Sequence, residues 1–99
     1  MPTSVPKHNL ARVTAATPAL VKNSGAIVYA IELYATGDAA ANVKLFDTVN
    51  GSGTDTISVS CPLSESKFID LEDLGGVKFS SKLFVTPTGT GAVAYVWYD

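Results

Sequence analysis

The chain is short of charge: Asp, Glu, Lys and Arg make up 16% of its 99 residues, against about 25% in an average globular domain. The charge it has is of the wrong sign for gripping a phosphate backbone. Seven basic residues against nine acidic ones leave a net −2, so no nucleic-acid partner is expected. A single cysteine, Cys61, excludes an internal disulfide and leaves no second thiol for a zinc pair. The only histidine, His8, falls in a proline-containing N-terminal stretch, where a base cannot be held in place against a Ser or Cys nucleophile. The longest apolar runs, Ala26–Ile31 and Ala92–Tyr98, span six and seven residues, far below the roughly 20 of a membrane helix. No membrane contact is expected. Residues 1–25 contain no apolar core of signal-peptide length, so Sec-type export is not expected either.

The motifs of cofactor and metal chemistry are missing as well. Gly51-Ser52-Gly53 and Gly89-Thr90-Gly91 have neither a following helix nor a P-loop lysine and read as loop tips. The densest acidic group, Asp70, Glu72 and Asp73, lacks a D-x-D-x-D-G loop and reads as a solvated turn, with Asp70 and Glu72 on one strand face. The expectation is a chain without enzymatic activity, catalytic residues, cofactor or metal.

What is present is period two. From Leu10 onward, short apolar-alternating segments are cut by Gly, Asn, Asp and Pro at intervals of roughly 10 residues, the pattern of an all-β domain. The strongest is Ala26–Tyr34, where Ile27, Tyr29, Ile31 and Leu33 share one face and Val28, Ala30, Glu32 and Tyr34 the other. Val43–Val49 alternates with Val43, Leu45 and Val49 inward and Phe46 outward, and Thr56–Leu63 with Ile57, Val59, Cys61 and Leu63 on one face. Further strands are expected at Ala11–Thr14, 67–71, 77–79, 83–86 and Ala92–Tyr98, the fourth of them before a stop at Pro87. About eight short strands without crossover helices predict an antiparallel β-sandwich, immunoglobulin-like or jelly-roll-like. Residues 1–9 are expected to form an extended arm and residues 10–99 a single sandwich domain.

Charge and aromatics supply the candidate contacts. Residues 1–31 carry Lys7, Arg12 and Lys22 and no acid, whereas the rest has four lysines against nine acids. A basic arm facing an acidic surface follows from that polarity, with Lys7 and Arg12 as its contacts. Of Tyr29, Tyr34, Tyr95, Trp97 and Tyr98, some must fill a small core. Tyr34, Trp97 and Tyr98 are the candidates for partner binding, since exposed aromatics on a sheet bind sugars, bases or protein surfaces. Tyr95 and Trp97 share a face with Val93, Tyr98 takes the other face, and Glu32 beside Tyr34 marks a wetter or partner-covered side. Cys61, in phase with Ile57 and Val59, reads as a small buried hydrophobe.

Five segments carry a family resemblance: Ser24–Tyr34, Val43–Asp47 ahead of a Gly-rich loop, Ile57–Pro62, Gly75–Leu83 and the Ala92–Tyr98 ending. In their order, over about residues 22–98, the chain resembles small structural proteins of tailed bacteriophages that serve as head-decoration or similar accessory subunits. The stretch Glu65–Leu74 departs from that pattern in being more acidic and more apolar than a simple turn. The resemblance implies a cofactor-free virion protein, most simply a capsid decoration or cement subunit on the particle exterior, made in the host cytoplasm. Its partners would be the major capsid protein, or another virion structural protein, and further copies of itself in a homo-oligomer such as a trimer. It brings no site residues. A carbohydrate-binding or adhesion module using the exposed aromatics is the alternative from a different class.

Overall fold

The computed structural model describes residues 8–36 and 39–99. Nine strands follow one another: β1 (Asn9–Thr14), β2 (Ala19–Lys22), β3 (Ala26–Tyr34), β4 (Ala41–Phe46), β5 (Ile57–Cys61), β6 (Ser66–Asp70), β7 (Val77–Phe79), β8 (Leu83–Thr88) and β9 (Val93–Tyr98). They form two sheets. Sheet A has the order β1-β9-β3-β6, with β7 also on β3, and sheet B the order β2-β8-β4-β5. Every pairing is antiparallel. The pairs are nested: first strand with last, second with penultimate, third with sixth, fourth with fifth. A long hairpin rolled into two sheets, with β7 added to the first, gives this order, so the sandwich is a jelly roll rather than immunoglobulin-like.

Inward residues of both sheets meet in one apolar core. Val28, Ile31, Leu33, Val43, Leu45, Phe79, Leu83, Val85, Ala94 and Val96 are fully buried, and no polar side chain of the described residues is. The alternation of β4, β8 and β9 accounts directly for this set. β3 does not alternate simply. Its register against β9 shifts between Val28, opposite Tyr98, and Ala30, opposite Trp97. A bulge at Tyr29 therefore switches the inward set from Ala26 and Val28 to Ile31 and Leu33. The expected common face of Ile27, Tyr29, Ile31 and Leu33 is corrected accordingly: Ile27 and Tyr29 point outward.

Other boundaries shift for identifiable reasons. β4 stops at Phe46 because Asp47 leaves the ladder: its carboxylate accepts the backbone N–H groups of Ser80, Ser81 and Lys82 at 2.8–2.9 Å. Val49, expected inward, is consequently exposed. Leu63 is exposed too, since β5 ends at Cys61 and Ser64 turns the chain with a positive φ of 62°. β2, a ninth strand not anticipated, hides in four residues behind Pro18. β8 continues through Pro87, whose position lies beyond the start of β2 opposite Val85 and so has a ladder neighbour only on the β4 side. The acidic segment after β6 forms a 3-10 turn, Glu72–Leu74. It does not place Asp70 and Glu72 on one strand face, because the Asp70 Oδ1 caps the Glu72 N–H at 3.0 Å.

The expected arm boundary also moves. Asn9 opens β1, and the His8 ring stacks on Tyr29 with centroids 4.1 Å apart. His8 Nε2 and Glu72 Oε2 are 2.7 Å apart, and Nδ1 lies 3.7 Å from Asp99 Oδ1. His8 therefore belongs to the folded body rather than to an exposed arm. Lys7 and the rest of the arm, residues 1–7, lie outside the described residues.

Candidate functional site

The outer faces of the two sheets are treated differently by the chain. On sheet B, the β4–β5 loop folds back over the outward pair Phe46 and Phe84. Gly51, at φ +76°, comes so close that a Cβ there would sit 3.0 Å from the Phe84 ring. Phe46 is buried as a result, although it points away from the core. A groove of about 460 Å³ remains beside it, rimmed by Asn42, Lys44, Thr86 and Thr88.

Among the described residues, sheet A is covered at the Ile27–Tyr29 end of β3, where the turn before β7 and the His8 ring lie against those two side chains, and it leaves Leu10 and Phe68 exposed beyond that end. Its outward residues form three rows running across β1, β9, β3 and β6. They are Leu10–Trp97–Ala30–Asp70, Arg12–Tyr95–Glu32–Phe68 and Thr14–Val93–Tyr34–Ser66. Period two within each strand and the antiparallel register between strands bring these side chains together from residues up to 87 positions apart (10 to 97) in the chain. Leu10 is 53% exposed and Phe68 54% exposed, two large apolar side chains on one sheet face.

The aromatics interlock. Phe68 meets Trp97 edge-on, centroids 6.0 Å apart and planes at 76°, and Tyr34 tilts against Tyr95 at 5.7 Å and 60°. These are favourable edge-to-face geometries. Arg12 Nε donates to the Tyr95 hydroxyl at 3.3 Å. The Tyr34 hydroxyl is pushed above the ordinary phenol range, first by desolvation and then by the charge and hydrogen bond of Glu32, with Tyr95 contributing less. The indole Nε1 of Trp97 is buried without a hydrogen-bond partner among the described residues. The face is thus an apolar, aromatic surface with Arg12 and Glu32 set on either side of Tyr95 and Asp70 at its β6 edge.

Three of the five candidate residues, Arg12, Tyr34 and Trp97, come together here. Tyr98 does not: it faces the other way and packs against the core. Lys7 is outside the described residues. Tyr95, Glu32, Phe68 and Leu10 complete the face and were not singled out as contacts. The alternation of Val93, Tyr95 and Trp97 carried part of the signal for Tyr95. Phe68 and Leu10 become neighbours of Trp97 only through strand pairing, which the sequence pattern does not specify.

Elsewhere the structure offers little chemistry. His8 Nδ1 has no hydrogen-bond partner among the described residues, and Nε2 faces the Glu72 carboxylate. Cys61 is a free, buried thiol, 2% exposed, in the position expected of it. Among the described residues no three His, Cys, Asp or Glu side chains group to hold a metal ion. A shallow cleft of about 630 Å³ at the edge of sheet A is lined by Tyr34, Ala35, Thr36, Ser64, Glu65 and Ser66.

No protein-family model matches the chain, and no curated protein sequence does. Solved structures of partial similarity include a Bacillus endospore appendage, of a family of disulfide-linked pili, at 13% identity and TM-score 0.47, covering 92% of this chain and 82% of that one. PirA is similar at 12% identity and TM-score 0.43, over 93% and 84% of the two chains. A carbohydrate-binding module from Cellvibrio mixtus lichenase 5A, in complex with cellotriose, is similar at 9% identity and TM-score 0.41, over 89% and 69%. Similarities this remote carry no functional meaning.

Proposed function

We propose that this chain is a non-enzymatic structural subunit that acts by association, through the outer face of sheet A. In the setting implied by the bacteriophage resemblance it is a virion protein, a capsid decoration or cement subunit on the particle exterior. Its partners there are copies of itself and the major capsid protein or another virion structural protein. The observation that carries the reading is the contrast between the sheets: the β4–β5 loop buries the outward Phe46 of sheet B, whereas on sheet A Phe68 and Leu10 stand exposed beside the half-buried Tyr34, Tyr95 and Trp97. Contiguous exposed apolar surface with aromatic and Arg side chains is the composition of a docking site.

The test is incorporation. A Phe68→Ala, Trp97→Ala double variant should keep its circular dichroism spectrum and fold, yet be missing from particles that contain the wild-type chain in stoichiometric numbers. Normal loading of the folded variant would rule the reading out.

The exposed rings also support a second reading, a carbohydrate-binding or adhesion module. It requires rings laid flat to stack on sugars, and with the pairs at 60° and 76° to one another at most one ring of each pair can lie flat on the sheet. Binding on a glycan array that disappears in Trp97→Ala, with the fold intact, would favour it over association.

A further inference from the structure

We propose that the outer face of sheet A pairs with the same face of a second copy, about a two-fold axis lying along β9. The proposal rests on the reading of this face as an association surface, and adds what occupies it and in which orientation.

The argument starts from the order β1-β9-β3 and the registers across it. Neighbouring strands lie about 4.8 Å apart, so β1 and β3 are equidistant from β9 on opposite sides. Two identical faces stacked by a two-fold axis parallel to β9 set β1 of one copy over β3 of the other, and β9 over β9. Row by row, Arg12 then faces the second copy's Glu32 twice, once on each side of a central Tyr95 pair. Leu10, exposed and protruding, faces Ala30, the small residue of its row. Thr14, small, faces Tyr34. Charge and size both complement, as an isologous interface requires.

A two-fold axis running across the strands through the Arg12–Tyr95–Glu32 row fails the same examination. It sets Arg12 over Arg12 and Glu32 over Glu32, and like charges facing each other across an interface are strongly disfavoured. Charge therefore selects the axis. The orientation keeps the strands of the two copies nearly aligned, one of the two packings open to sheets. The area is sufficient: the molecule measures 36 × 34 × 19 Å, and a broad face of that size accommodates the roughly 800 Å² per partner of a specific interface. Burial of the face also removes Leu10 from water, whereas β6, two strands from the axis, carries Phe68 past the edge strand β1 of the second copy. Trp97 of the two copies meet in the row beside the Tyr95 pair.

Mixing of charge variants tests the axis. Sedimentation of the isolated full chain at increasing concentration should show a monomer–dimer equilibrium, weakened by salt. Arg12→Glu alone places Glu against Glu twice, and Glu32→Arg alone places Arg against Arg twice, so each should weaken dimerisation by about tenfold or more. A one-to-one mixture of the two should restore it, since both contacts in the heterodimer are again of opposite sign. Tyr95→Cys provides a second route: a short bismaleimide should link two copies through their Cys side chains, while buried Cys61 stays unmodified. Two single variants that remain monomeric when mixed, although the wild type dimerises, would overturn the axis. A wild-type chain that stays monomeric at high concentration and is not cross-linked through position 95 would overturn self-pairing. In that case particle loading that still depends on Phe68 and Trp97 leaves the association reading intact, with a different subunit on this face.

Discussion

Gly75 and Gly76 stand side by side with nearly the same backbone, φ +78° and +84°, and differ in what surrounds them. A Cβ on Gly75 meets nothing within 4 Å, whereas one on Gly76 would lie 2.4 Å from the Ile27 Cγ2 and 3.0 Å from the Tyr29 ring. Gly75→Ala therefore isolates the cost of holding an L-residue in the left-handed region, about 1 kcal/mol. Gly76→Ala adds overpacking against a β-branched side chain and a ring, another 1–3 kcal/mol or so. For a chain whose total stability is of order 5–15 kcal/mol, the second substitution is severe and the first is mild. With a urea dependence near 1 kcal/mol per molar, midpoints should fall by about 1 M and about 2–4 M respectively. The consequence travels further in Gly76→Ala, because Tyr29 carries the stacked His8 ring at the entrance to β1, the strand that brings Leu10 and Arg12 to the open face. The His8 ring resonances should shift in Gly76→Ala and stay put in Gly75→Ala. Equal losses of stability in the two variants would refute the reasoning, since backbone strain alone would then account for both.

Two further predictions concern the frame that holds the face. Phe79, fully buried at the end of β7 and paired with Ala26, should lose about 3–5 kcal/mol on replacement by Ala, against under about 0.5 kcal/mol for Leu74→Ala on the exposed 3-10 turn; chemical denaturation measures both. Asp47 is held below the usual carboxylate range, first by the Lys82 backbone N–H and then by that of Ser81, with partial desolvation opposing and Ser80 and the Lys82 charge assisting. A depressed folded-state value means stability that is present above the unfolded-state pKa of about 3.9 and is lost as pH falls through the folded-state value. The stability gap between wild type and Asp47→Asn should therefore be widest near neutral pH and narrow below about pH 4; a gap independent of pH would show that the carboxylate charge is not what the three N–H groups hold.

The sandwich was legible because its strands keep period two wherever both faces are defined, as in Ile57–Cys61 and Val93–Tyr98. Three features escaped for physical reasons. The bulge at Tyr29 leaves the composition of β3 unchanged: a run in which nearly every residue is apolar does not reveal where the inward set changes parity. β2 has four residues and follows a proline, too short for a period to register. The end of β4 at Phe46 is set by Asp47 and its contacts with residues 33–35 positions later, a long-range capture of backbone donors that no local window contains. His8 is the reverse case. Flanking prolines suggested an arm, but a stacked ring and a carboxylate partner on a distant turn fix it in place.

The open face was half legible for a related reason. Alternation within one strand says which side chains share a side, so Glu32 with Tyr34, and Tyr95 with Trp97, could be grouped from sequence. Whether those two groups share the same face of the same sheet depends on which strands are neighbours, and here the last strand lies between the first and the third. Once that order is fixed, the contacts follow by register: Arg12 beside Tyr95, Tyr95 beside Glu32, and Phe68 one strand further out. The covering of sheet B by the β4–β5 loop then gives the composition of sheet A its meaning. The two sheets carry comparable aromatic side chains on their outer sides, but those of sheet B are screened by a segment of the same chain. On sheet A the turn before β7 and His8 reach only as far as Ile27 and Tyr29, Phe68 and Leu10 stay exposed, and the opposite charges placed symmetrically about β9 make a second copy of the same surface a complementary cover.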